Sequence, residues 1–137
     1  MKTTPGTAPA AVWWEYAKSE LDNARVLFEG ERYQACAVSC QQAVEKALKA
    51  VIIARLDEVP PRSHDLAKLA QRSSLWDRMG DEQRRLLMDL SVEYLDNRYP
   101  GELAVELQDP VESTSENWLR ESREMLQWLE QWLTPKT

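Results

Sequence analysis

The chain has 137 residues, of which 43% are hydrophobic and 29% charged, a size and composition that suit one globular domain around one core. No apolar stretch reaches the ~18 residues that a membrane-spanning helix needs, and the first residues lack the apolar core of a signal peptide, so we expect a cytoplasmic protein without membrane contact. A formal net charge of −6 argues against general electrostatic attachment to nucleic acid, which normally shows as a basic surface.

The first half of the chain is predicted to form two long helices. Only four glycines interrupt the sequence, and apolar residues recur at helical spacing. The first helix is expected over residues 11–28, and Gly30 supplies the break after it. Its apolar side comprises Trp13, Tyr16, Ala17, Leu21, Ala24, Leu27 and Phe28. The second helix, residues 31–55, is the longest, and the short turn before it predicts antiparallel packing against the first.

Three further helices are predicted in the second half. The prolines of "DEVPPRS" exclude a helix there, and Ser63 is the expected N-cap of a short helix over 64–72. A fourth helix follows "SSLWDRMG", with Asp81 as its N-cap, and runs to residue 97. Residues 100–113 form an unusually long connection of the kind that often carries function. A fifth helix begins at Thr114 or Ser115 and ends before Pro135.

The predicted fold is therefore all-α, an up-and-down helical bundle of four longer helices and one short helix. Residues 1–11 are expected to be a disordered N-terminus, residues 12–133 the bundle, and residues 134–137 a C-terminal tail. Cys36 and Cys40 lie four residues apart, on one helical face, and are interpreted as buried core residues. We expect neither a metal site nor a cofactor, since His64 is the single histidine.

The six tryptophans leave two interpretations open. Trp13 and Trp14 are adjacent and cannot both face one core, whereas Trp128 and Trp132 are one turn apart. One member of each pair covers an edge of the bundle, or the excess apolar surface belongs to an interface with a partner.

Three polar features are candidates for a functional site. Lys46 and Lys49 are neighbours on one helical surface, most simply a solvated face with Glu45 nearby. His64 begins the third helix; although "SHD" contains the residue types of a hydrolase triad, consecutive residues point in different directions and cannot relay a proton. In "NRYP", Arg98 either caps the last turn of the fourth helix or binds a ligand.

Taken in order, "ERYQACAVSCQQAVEKALKAVI", "SHDLAKL" and "LDNRYP" resemble the HEPN domain family of small helical-bundle proteins. The resemblance spans residues 12–133 and implies a homodimer. It also implies a minimal nucleotidyltransferase as partner, in a pair of the toxin–antitoxin type. Other members are ribonucleases that carry Arg, four to six residues and then His. Here Arg98 is followed by "YPGELAVEL", so that motif is absent.

The resemblance to the "RYP" members implies a nucleotide-binding or partner subunit. Arg98 would hold a phosphate through its planar fork, and Tyr99 would stack on a base, with Asn97, His64, Lys46 and Lys49 around the same opening. Whether these residues converge is not determined by the sequence. The alternative is a metal-independent endoribonuclease that uses Arg98 and His64 on RNA. A second alternative is a purely structural interaction module, in which "NRYP" ends a helix.

Overall fold

The computed structural model describes residues 8–98 and 112–134, with side chains given through Ser91 and again from Glu112. All regular structure in these two ranges is helical, which confirms the all-α prediction. The described helices are α1 (Ala10–Glu29), α2 (Tyr33–Leu56), α3 (Leu66–Arg72), α4 (Asp81–Arg98) and α5 (Glu112–Glu130), with a 3-10 turn at Trp76–Arg78 between α3 and α4. None of these helices has both the length and the apolarity to cross a membrane.

Helix α2 is the centre of the bundle. It contacts α1, α3, α4 and α5, and its middle turns, residues 39–52, are buried on nearly every side. Its buried apolar residues, among them Cys40, Val44, Leu48 and Ile52, form the core together with leucines of the other helices. Cys36 and Cys40 are both buried, as predicted, and both are free thiols. Burial around the whole circumference explains why the polar residues of α2 are not simply its solvent face.

The turn between α1 and α2 brings the two helices side by side. Arg32 N–H donates to Leu27 O at 2.8 Å, and Glu31 N–H donates to Phe28 O at 3.0 Å. These two bonds form a Schellman motif, in which Glu31 takes the left-handed position with φ 61°. Gly30 follows the last residue of α1 and so makes the predicted break; its φ is −87°, and the left-handed position falls one residue later.

Helix α3 ends in the same way and begins later than predicted. Leu75 N–H donates to Ala70 O, Ser74 N–H donates to Gln71 O, and Ser74 has φ 66°. At the other end Asp65, rather than Ser63, is the N-cap, and its carboxylate accepts from Lys68 N–H at 3.2 Å. Ser63 instead accepts from Asp65 N–H, which closes the turn that leads into the helix.

The aromatic residues of α1 depart from the predicted stripe. Trp14 is buried and Trp13 is partly buried against the core, whereas Tyr16 is 58% exposed. The prediction that Tyr16 faces the core was therefore wrong. Trp128 and Trp132 make an edge-on contact with ring centres 6.0 Å apart, and both are partly buried at the core boundary.

Candidate functional site

A row of polar side chains lies inside the bundle along α2. Gln41, Glu45 and Lys49 occur every fourth residue and so share one face of the helix. Gln41 is fully buried, and Glu45 and Lys49 are only 4% and 7% exposed. A charge in such a position requires a partner, because burial removes its hydration. The three residues therefore form a buried polar cluster within an apolar core.

Glu45 is the centre of this cluster. Lys49 Nζ donates to Glu45 Oε2 at 2.9 Å, and Gln41 Nε2 donates to Glu45 Oε1 at 3.1 Å. His64 Nδ1 lies 2.9 Å from the same Oε1 atom. Burial raises the pKa of Glu45, but the bonds from Lys49, His64 and Gln41 outweigh it and hold that pKa below its ordinary value. The carboxylate is thus ionised and saturated with donors.

His64 reaches the cluster from outside α2. The proline-containing segment after α2 returns the chain, and Gln41 Nε2 donates to His64 O at 3.1 Å. Two residues later Leu66 N–H donates to Ser91 Oγ on α4 at 3.2 Å. The imidazole is therefore fixed between α2 and α4. Its side chain is 46% exposed, so it is the member through which the cluster meets solvent.

Lys46 extends the cluster toward α1. Its Nζ donates to Gln42 Oε1 at 2.9 Å and to Glu20 Oε2 at 3.3 Å. Gln42 Nε2 in turn donates to Gln41 Oε1 at 2.8 Å. At the Lys49 end of the row, the Lys49 ammonium lies 5.6 Å from the centre of the Trp13 ring, within the range of a cation–π contact. A continuous series of hydrogen bonds thus joins Glu20 to His64.

The structure brings together three of the predicted site residues, Lys46, Lys49 and His64. The interpretation of a solvated lysine face was wrong for Lys49, which is buried and paired. Arg98 is the last residue of α4; its side chain, that of Asn97 and the whole of Tyr99 lie outside the described residues. Their convergence with His64 stays a prediction.

Sequence reasoning missed Gln41 and Glu45 as site residues. The signal for them was the i, i+4, i+8 spacing of Gln41, Glu45 and Lys49 within "QQAVEKALKA". Such spacing places three polar groups in contact along a helix. It indicates a buried site only when the remaining faces are also covered, which depends on how many helices surround α2.

The cluster combines a carboxylate with an imidazole. A carboxylate that accepts from Nδ1–H selects the tautomer in which Nε2 carries the lone pair. Such a pair can accept a proton or orient a polar ligand. Among residues 8–91 and 112–134, no three His, Cys, Asp or Glu side chains are grouped so as to hold a metal ion.

The family model called "HEPN domain" matches residues 10–132 of this helical bundle. The chain therefore belongs to the HEPN domain family, as the resemblance in its sequence predicted. No curated protein matches it.

Two crystal structures share this fold. The protein TT1696 from Thermus thermophilus aligns with a TM-score of 0.77 and 22% identity, over 90% of this chain and 98% of that chain. ST0689, an archaeal HEPN homologue, aligns with a TM-score of 0.72 and 19% identity, over 93% of this chain and 100% of that chain. At these identities the likeness concerns the fold.

Proposed function

We propose that this HEPN protein is a binding subunit that acts as a homodimer with a minimal nucleotidyltransferase, in a pair of the toxin–antitoxin type. Its site would bind a nucleotide between His64 and the "NRYP" segment. Arg98 would contact a phosphate, Tyr99 would stack on the base, and Asn97 would supply a further polar contact. Lys46 and Lys49 would act indirectly, because each is already paired with a carboxylate.

The observation that carries the proposal is the buried cluster around Glu45. A buried ion pair is weak evidence for stability, because apolar residues of similar volume often stabilise a protein equally well or better. Here Glu45 and Lys49 are paired inside the core, and Glu45 also holds the partly exposed imidazole of His64 at the edge of the core. A buried carboxylate whose pKa is shifted by burial and by specific charged partners is a candidate for a functional site.

The sequence after Arg98 favours binding over catalysis. The ribonuclease motif of the family requires histidine at one of positions 103–105, and Leu103, Ala104 and Val105 stand there. A base for the attack on RNA would have to come from His64, 34 positions earlier.

The test is affinity purification of the tagged protein at native expression from its own host, followed by mass spectrometry. A nucleotidyltransferase in stoichiometric amount is the expected result. Recovery of the chain alone, with no nucleotidyltransferase above the level of an untagged control, would contradict the partner role.

A second candidate function, endoribonuclease, is favoured by one contact. The 2.9 Å approach of His64 Nδ1 to Glu45 resembles the orientation of general bases by carboxylates. Cleavage of RNA by the wild-type protein in the presence of a chelator, and its loss in Arg98→Ala and in His64→Ala, would establish this function in place of the first. Absence of cleavage by the wild type would exclude it.

A further inference from the structure

Two arginines converge on one tryptophan at the end of the bundle where α2 and α5 finish. Arg55 lies in the last turn of α2, Arg78 in the 3-10 turn before α4, and Trp132 just after α5. The guanidinium carbons of Arg55 and Arg78 lie 4.9 Å and 5.0 Å from the centre of the Trp132 ring. Three elements distant in sequence thus place two cations beside one indole.

In the described part of the chain no carboxylate forms an ion pair with Arg55 or Arg78. Arg72, in the same region, meets Glu58 at 2.6 Å, and Arg25 on α1 meets Asp22 at 2.9 Å. Two cations that contact one indole without an ion-pair partner are notable in a chain with 23 Asp and Glu, because like charges repel unless an anion compensates them.

Arg78 is exposed and Arg55 is partly buried. A guanidinium held against an aromatic ring keeps its plane fixed while its N–H groups remain available. Arg55 uses only Nε internally, donating to Ser73 O at 3.3 Å. A nearby arginine shows the contrast: Arg84 is committed to the Trp76 carbonyl through both Nε and Nη2.

We propose that Arg55, Arg78 and Trp132 form a binding site for a phosphate group, separate from the site at His64 and Arg98. A carboxylate has two oxygens and is satisfied by one arginine fork, whereas a terminal phosphate offers three oxygens and two charges to a pair of forks. Helix α4 separates this site from Arg98, because its 18 residues span about 27 Å. The proposal does not depend on the nucleotidyltransferase role.

Calorimetric titration with inorganic pyrophosphate, with acetate as the carboxylate comparison, tests the site. The wild type is expected to bind pyrophosphate and not acetate. Arg78→Gln should weaken pyrophosphate binding by about tenfold or more, because one charge-assisted fork is lost. Arg78 is exposed, so its replacement leaves the core intact, and circular dichroism verifies folding.

Two further variants make the result specific. Arg72→Gln removes an arginine of the same region that is already ion-paired, and should leave pyrophosphate binding unchanged. Arg55→Lys keeps the charge but removes the planar fork, and should weaken binding. A parallel titration of ATP into wild type and Arg78→Gln distinguishes a bare phosphate from one carried by a nucleoside, because Arg78→Gln weakens only ATP that is bound at this site. Failure of the wild type to bind pyrophosphate, or equal binding by wild type, Arg78→Gln and Arg72→Gln, would overturn the proposal.

Discussion

Burial of the Glu45–Lys49 ion pair has an energetic cost and a compensating gain. Each loses its hydration on burial, and each recovers part of that loss from the 2.9 Å contact between them. Gln41 and His64 satisfy the other carboxylate oxygen. Removing one partner leaves the other charge buried and uncompensated, which costs more than the pair contributes when it is intact.

Replacement of Glu45 by glutamine is therefore expected to lower the free energy of unfolding by about 3 kcal/mol. The pKa of Glu45 is lower in the folded chain than its ordinary value of 4.5. Its contribution is thus fully present above pH 4.5 and is lost as the pH falls through the folded pKa. The difference between wild type and variant, measured by urea denaturation from about pH 7 to about pH 3, should shrink over that interval.

Glu15→Gln is the matched control for this experiment. Glu15 pairs with Lys18 at the same 2.9 Å distance, but both side chains are exposed, so the change should be about 0.5 kcal/mol or less. Adding Lys49→Met to Glu45→Gln should restore part of the lost stability, because the uncompensated charge is removed. Equal stability of wild type and Glu45→Gln would contradict the structural account of the cluster.

Individual polar residues were the least predictable part of the site. The sequence places Lys46 and Lys49 on one helical surface, but only the packing of α1 and α3 around α2 decides that Lys49 is buried beside Trp13. His64 was predicted to be functional and does join the cluster. Its partner Glu45 was regarded as a neighbour on a solvated face, since nothing local distinguishes a buried carboxylate from an exposed one.

The helices themselves were largely predictable because their apolar periodicity is a local property. The residues at which the helices begin and end were less predictable, because they depend on individual hydrogen bonds. At α3, both Ser63 and Asp65 can cap a helix, and Asp65 is selected because its carboxylate reaches Lys68 N–H. At the end of α1, Gly30 follows the last helical residue as predicted, but only the Schellman bonds decide that the left-handed position is Glu31.

Substituting glycine for a residue that has a left-handed backbone conformation just after a helix should stabilise this protein. Ser74 has φ 66° and is exposed after α3, a conformation that glycine adopts without the penalty of a Cβ atom. We expect Ser74→Gly to raise the free energy of unfolding by about 0.5–1 kcal/mol, measured by chemical denaturation. Ser74→Ala retains the Cβ atom and should give no such gain; an equal gain from alanine would refute the explanation.

The outer surface of α1 is a candidate for the dimer contact. Val12, Tyr16 and Val26 are all exposed and lie within about 80° of one another around the helix. Ser19 and Asn23 occupy the same strip, so it carries no charge. Uncharged strips with an aromatic residue are typical of interfaces, and this one is continuous along the helix.

Tyr16→Glu should therefore convert a dimer into a monomer, since it places a charge on the uncharged strip. Molar mass measured by light scattering after gel filtration reports the change. Met88→Glu is the matched control, because Met88 on α4 is equally exposed at 58% but lies outside the strip, and it should leave the mass unchanged. A wild-type monomer, or a dimer that persists in Tyr16→Glu, would exclude α1 as the interface.

At the scale of the whole molecule, the bundle and the family were predictable from motifs spread along the chain. The proposed binding role requires the Glu45 cluster and the "NRYP" segment to act together. The most direct test is to measure the affinity for ATP by calorimetric titration of four proteins: wild type, His64→Ala, Arg98→Ala and Arg72→Gln. We predict binding that weakens by about tenfold in His64→Ala and in Arg98→Ala and is unchanged in Arg72→Gln. Identical binding in all four proteins, or no binding of ATP by the wild type, would contradict the assignment.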